Sequence, residues 1–251
     1  MSLYALALKD PAAELLAPAA FLTAVKGYNK DSARNFLRSQ PGFLGRNLQL
    51  EAARELAGTA AKAGFETMLI AETDVPPPPN AVEPDKVELK GNGFNVRAGG
   101  ALTFIAYDSI TVFSAAAFDA PAVADTIPAL KPGLFEKIAL LAGAPVPPSP
   151  APPKETFFRA DIIGGEERLR LLLKPENLDF SPLGPARSHS SLVNFRALLD
   201  ALSAPAFKAA KNRFLQAFIA SRPLTALKVA SPEAADTELS RLLIISTKRA
   251  E

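Results

Sequence analysis

Residues 157–202 read FFRADIIGGEERLRLLLKPENLDFSPLGPARSHSSLVNFRALLDAL, and the second half of the chain can be organised around them. Apolar residues alternate on both sides of Gly164-Gly165, which predicts two strands joined by a tight turn, because glycine tolerates a positive φ. Ser190 or Ser191 can cap a following helix. The apolar residues of that helix recur at the spacing of one helix face and are Leu192, Phe195, Leu198, Leu199 and Leu202. We therefore expect a helix packed over the open end or face of a sheet.

Proline runs predict where the chain divides. The 251 residues are enough for two small domains. Residues 74–84 read DVPPPPNAVEP, and four consecutive prolines favour a stiff, extended spacer that does not join the centre of a sheet. The sequence thus predicts a first domain at 1–73, a linker at 74–84 and a second domain at 85–251. Within the second domain, a helical and proline-rich insertion is expected at about 120–154.

The first domain carries alternating strand and helix patterns in the order βααβαβ. Its segments TAVKG (23–27) and SARNFLRSQPGFLGRNLQLEAARELAGTAAKAG (32–64) resemble the C-terminal α/β domain of the bacterial ribosomal stalk protein over residues 2–72. In that family a basic helix surface contacts translation factors. The resemblance implies that Lys26 and Arg34 belong to such a surface, whereas the simpler interpretation is that they solvate a helix face.

The second domain begins with short strands of period two, typical of an antiparallel barrel or sandwich. The segment FIAYDSITVFSAAAF (104–118) resembles bacterial pleckstrin-homology-like domains, which are small barrels closed by a C-terminal helix. The sequence therefore predicts an α+β protein in which a barrel-like domain with C-terminal helices follows the small α/β domain.

The last fifty residues are predicted to add a helix at 205–221 and one further short element. Lys208, Lys211 and Arg213 give that helix a basic side. Such a patch could contact nucleic acid or anionic lipid, although three charges contribute little at a membrane surface. Residues 242–246, LLIIS, are interpreted as a last short strand or an apolar anchor.

No motif for chemistry stands out in the sequence. The chain has no Cys, which excludes disulfides and thiolate metal sites and fits a cytoplasmic location. His189, the single histidine, lies between serines before a helix, where a turn role is expected. We predict no catalytic residue, metal site or cofactor, no signal peptide and no membrane-spanning segment.

These observations favour a non-enzymatic, cytoplasmic binding or scaffolding protein that acts through protein–protein contacts with an unidentified partner. One alternative is a regulatory protein that engages the translation machinery, nucleic acid or anionic lipid through a small basic patch. A second is a hydrolase whose site is assembled from scattered carboxylates. One continuous basic face would favour the first alternative, and a pocket with two converging acids would favour the second.

Overall fold

The computed structural model describes residues 2–121, 154–165 and 167–250. Residues 2–118 and 158–250 form one compact unit, and residues 119–121 and 154–157 belong to a second. In the second unit, the Thr156 hydroxyl donates a hydrogen bond to Asp119. Residues 122–153 of the predicted insertion lie outside the described residues.

The described elements confirm a mixed α+β protein. The strands are β1 (Tyr4–Leu8), β2 (Phe43–Leu48), β3 (Thr67–Ala71), β4 (Ala81–Val82), β5 (Lys86–Leu89), β6 (Gly93–Ala98), β7 (Ala101–Ala106), β8 (Val112–Pro121), β9 (Lys154–Gly164), β10 (Leu169–Leu173) and β11 (Ala210–Lys211). The helices are α1 (Leu16–Lys26), α2 (Lys30–Ser39), α3 (Leu50–Lys62), α4 (Ser191–Ser203), α5 (Arg213–Ile219) and α6 (Pro232–Ala250).

The first sheet has the order β2-β1-β3 with antiparallel pairing. Successive side chains of a strand point to opposite faces. Leu6 and Leu8 of β1 accordingly share a core with α1, α2 and α3, whereas Ala5 and Ala7 belong to a second core on the other face.

Glu72 fixes one end of this sheet. Its carboxylate accepts hydrogen bonds from Arg46 Nε and Nη2 and from the Asn47 backbone N–H, 2.6–2.9 Å away. Asn47 has a φ of 54°, which is uncommon for a residue other than glycine. Burial acts to raise the pKa of Glu72, but the hydrogen bonds from Arg46 and Asn47 and the Arg46 charge hold it below its ordinary value.

The second sheet has the order β11-β8-β9-β10-β4. Its centre is the predicted hairpin, with Leu171 of β10 opposite Ile162 of β9. Both residues face a core shared with the third sheet, β5-β6-β7, and with α4 and α5. In α4, Phe195 and Leu199 are buried in that core, so this helix covers the sheet as expected.

Helix α6 fills the space between the first and second sheets. Leu239, Leu242 and Leu243 of α6 pack in one cluster with Ala5 and Ala7 of β1. The same cluster contains residues of the second sheet, namely Val112, Ile163 and Ala210. The alternative of a strand at 242–246 is therefore wrong, because these residues belong to α6. The four adjacent apolar residues at 242–245 are all buried because neighbours surround this helix on several sides.

The predicted helix at 205–221 is also wrong over its first half. Only Arg213–Ile219 is helical, because the backbone at Ala210 is extended and pairs in parallel with Val112 of β8. Phe207, expected on the apolar side of that helix, is 75% exposed.

The predicted linker lies along the edge of the second sheet. Ala81 and Val82 pair in parallel with β10, and the Pro79 carbonyl accepts a hydrogen bond from Arg170. The boundary at 74–84 thus falls inside one compact unit. Independent folding of residues 1–73 stays a prediction.

Candidate binding surfaces

A groove between α1 and α2 combines apolar and basic side chains. Helix α1 ends at Gly27, whose φ of 65° turns the chain sharply, and α2 begins after Asn29, which accepts a capping hydrogen bond from the Ser32 N–H. The two helices consequently lie side by side and enclose a groove of about 270 Å³. The residues that line it are Leu16, Ala19, Ala20, Thr23, Lys30 and Arg34.

The groove is both accessible and positively charged. Leu16 is 61% exposed and provides an accessible apolar side chain in the groove. Lys30 and Arg34, one helical turn apart on α2, form no ion pair with any described residue. Two uncompensated cations beside an apolar helix stripe suit a ligand that is acidic and apolar at once.

The two residues implied by the stalk-protein resemblance have different surroundings. Arg34 lines the groove, but Lys26 does not. The Lys26 ammonium lies 5.9 Å from the centre of the Tyr28 ring and 5.8 Å from that of Phe36, and burial lowers its pKa. Lys26 therefore packs on aromatic rings at the end of α1.

The second predicted basic patch is not one free surface. Lys208 lies over the Phe207 ring, whereas Lys211 donates a hydrogen bond to the Ser203 carbonyl and burial lowers its pKa. Arg213 pairs with Glu14 near the start of α1. Since two of the three cations already have polar partners, the arrangement leaves little charge for nucleic acid or lipid.

Two carboxylates and two arginines form an ionic cluster at α6, in which Asp161, Arg159 and Arg170 are buried and the Asp236 side chain is 40% exposed. Asp161 Oδ1 accepts from Arg170 Nε at 2.8 Å, and Asp236 Oδ1 accepts from both Arg159 and Arg170 at 2.6 Å. Arg159 Nε lies 3.0 Å from Asp161 Oδ2, although its N–H is poorly aligned and makes no hydrogen bond. Asp236 belongs to α6, so the cluster joins this helix to β9 and β10.

This cluster does contain two converging acids, as the hydrolase alternative required. Burial raises the pKa of Asp161, and the Arg159 and Arg170 charges act in the opposite direction. Asp161 contacts guanidinium groups through both carboxylate oxygens, and Asp236 does so through Oδ1. The geometry is that of a structural ion-pair network.

The single histidine lines an open, polar groove of about 520 Å³ before α4. Asp179, on the same groove, accepts hydrogen bonds from the Ser181 N–H and hydroxyl, which lower its pKa. His189 itself is exposed and forms no hydrogen bond with any described residue. Without an orienting carboxylate or a bonded nucleophile, this groove lacks the geometry of a catalytic triad.

A buried arginine connects α6 to the turn before α1. Arg241 is 1% exposed. Its Nη1 donates to the carbonyls of Leu8 and Asp10, and its Nη2 donates to the Pro11 carbonyl and to the Glu238 carboxylate, at 2.8–3.0 Å. The adjacent cavity of about 50 Å³ has room for only a few water molecules.

The part of the chain that the structure describes contains no group of three or more His, Asp or Glu side chains that could hold a metal ion. None of its helices is both long enough and apolar enough to cross a membrane. No protein-family model, curated protein or solved structure matches the chain.

Proposed function

We propose that this chain is a non-enzymatic binding protein of the cytoplasm, and that the groove between α1 and α2 binds an acidic, amphipathic segment of a partner protein. The observation that carries the proposal is the pairing of the exposed Leu16 with two cations, Lys30 and Arg34, that have no acidic partner in the described chain.

The chemistry of the groove defines the partner segment. Leu16, Ala20 and Thr23 recur at the spacing of one helix face, so a second helix can lay an apolar stripe along them. Acidic residues flanking that stripe would then meet Lys30 and Arg34. Exposed charge pairs of this kind contribute little affinity one by one but select the partner and speed association.

The two domain resemblances also lead to a proposed fold for each part of the chain. We infer a stalk-like α/β fold for the first sheet with α1–α3, and a pleckstrin-homology-like barrel for the third sheet, β8–β10 and α4. The three strands of the third sheet, followed by β8, β9, β10 and a covering helix, support the second inference. Both folds are compatible with binding roles, but neither fixes a function by itself.

A designed peptide can test the groove without knowledge of the natural partner. The probe is a fluorescent amphipathic helix with Leu and Phe on one side and Glu on the other, titrated into the full chain and followed by anisotropy. We expect saturable binding that weakens at high salt. Arg34→Glu should weaken it about tenfold, the equivalent of 1.4 kcal/mol.

Lys62→Glu provides the matched control, because Lys62 is exposed at the end of α3 and the substitution changes the net charge equally. This variant should bind like the wild type. If Lys62→Glu and Arg34→Glu weaken binding to the same extent, the attraction is a general charge effect and the groove is not the site. No binding by the wild type, or equal binding of a Lys-substituted probe, would also reject the proposal.

A further inference from the structure

Among the residues that the structure describes, the third sheet has one covered edge and one open edge. At the β5 edge, Lys86 forms a bridge with Asp179, and the Asp179 N–H donates to the Asp85 carbonyl at 2.8 Å. At the other edge, β7 pairs only with β6 among the described strands. A strand with an unpaired edge is a template for another strand.

The direction of the free backbone groups follows from the hydrogen bonds at the end of β7. The Tyr107 N–H donates to the Asn92 carbonyl of the β6 side, and backbone groups alternate in direction along a strand. The N–H and C=O groups of Leu102 and Phe104 therefore point away from β6. The Ala106 carbonyl points the same way but already accepts from the Ser109 hydroxyl.

The side chains at this edge are apolar and accessible. Leu102 is 67% exposed and Phe104 is 48% exposed. Phe104 lies over Gly93, where an added Cβ would come 2.6 Å from the ring, so the absence of a side chain at Gly93 lets the ring lie flat. The strand reads ALTFIA, with no charge and no proline, and thus lacks the residues that usually prevent edge-to-edge pairing.

We propose that β7 pairs antiparallel with β7 of a second copy of this chain, around a two-fold axis at Thr103. In this register, Leu102 of each copy lies opposite Phe104 of the other copy. The free N–H and C=O groups of these two residues are then hydrogen-bonded in both copies, and the Ala106 carbonyl keeps its hydrogen bond from Ser109. A second copy of β7 carries no charge and is therefore not repelled. In contrast, an acidic or basic strand of another protein would find no charged group on β7 that selects it.

The covered β5 edge limits the assembly to two copies. Each third sheet offers one open edge, and a two-fold contact uses the same surface on both partners, so the pairing closes. The surface available on β7 is on the order of 300 Å² per copy, below the standard size of a stable interface. The dimer should accordingly be weak, with a dissociation constant on the order of 100 µM.

Sedimentation equilibrium of the full chain, from about 10 to 500 µM, tests the self-association. We expect a monomer–dimer equilibrium in which Leu102→Lys and Phe104→Glu each raise the dissociation constant at least about tenfold. Phe207→Lys, at a more exposed aromatic residue outside β7, should leave it unchanged. A wild type that stays monomeric, or a Phe207→Lys variant that is equally impaired, overturns the proposal.

The absence of cysteine allows the register to be measured separately. Residues on the axis would form a pair without mutual hydrogen bonds, with Cα atoms about 4.5 Å apart, a separation that permits a disulfide. Under mild oxidation, Thr103→Cys should cross-link at least about tenfold faster than Phe207→Cys at equal concentration. Equal rates would refute pairing at Thr103, because random collisions would then explain both products.

Discussion

Replacing Arg241 by methionine should destabilise the protein severely, although the residue lines neither proposed surface. Methionine keeps most of the apolar volume of arginine, but it cannot donate the hydrogen bonds that Arg241 gives to three backbone carbonyls and to Glu238. Removing one partner of a buried ion pair costs about 3–5 kcal/mol, because the remaining charge stays out of water. That loss is a large part of the 5–15 kcal/mol typical of a domain.

Urea unfolding followed by far-UV circular dichroism measures the effect. A second variant, Arg241→Met with Glu238→Gln, removes the unpaired carboxylate and should recover about 1–3 kcal/mol. Arg54→Met, on the exposed side of α3, changes the same residue type and should stay within about 0.5 kcal/mol of the wild type. An Arg241→Met variant as stable as Arg54→Met would show that the buried hydrogen bonds do not hold α6 in place.

Three further predictions concern the cores and the partly buried carboxylate of Glu72. Glu72→Gln should cost about 1.5–3 kcal/mol at neutral pH. The pKa of Glu72 is lowered on folding, so the stability that this carboxylate contributes is present above its unfolded-state pKa and is lost as pH falls through its folded-state pKa. Urea unfolding should therefore show the cost of Glu72→Gln shrinking as the pH falls through that range. Phe195→Ala should cost about 3–5 kcal/mol and Phe207→Ala under about 0.5 kcal/mol, and the reverse order in denaturant unfolding would mean that α4 does not cover the core. A fragment of residues 1–73 should melt at a higher temperature when a peptide of the α6 sequence is added. An unchanged melting temperature would show that α6 does not stabilise the face of the first sheet that carries Ala5 and Ala7.

Local signals were sufficient for part of the fold. The apolar spacing after a cap at Ser190 or Ser191 predicted α4, which begins at Ser191 with Ser190 as its cap and ends at Ser203, because both the cap and the buried face are properties of consecutive residues. The glycine pair at 164–165 predicted the β9–β10 turn for the same reason: Gly165 has a φ of 78°.

The burial of α6 and of the ionic cluster could not be predicted in this way. Residues 242–245 form an unbroken apolar run, which has no period that separates a short buried strand from a fully buried helix. Along β9 and β10, the alternation of Arg159, Asp161 and Arg170 with apolar residues is typical of a strand with one face in water. Here that face is covered by α6, and only the three-dimensional contact with Asp236 distinguishes the two cases.

The groove residues were identified only in part. The stalk-protein resemblance pointed to Arg34 but also to Lys26, which packs on Tyr28 and Phe36. Lys30 was missed because a lysine at the start of a helix gives no signal of its own. The strand β7 was identified, but its status as an edge depends on the order of strands in the sheet, which alternation does not encode.

The position of α6 between two sheets has a consequence for synthesis in the cell. The ribosome completes every strand of both sheets before it makes residues 232–250. Until that helix emerges, the apolar surfaces of Ala5, Ala7, Val112 and Ile163 have no permanent cover. The nascent chain therefore passes through a partly assembled state that chaperones and proteases can recognise.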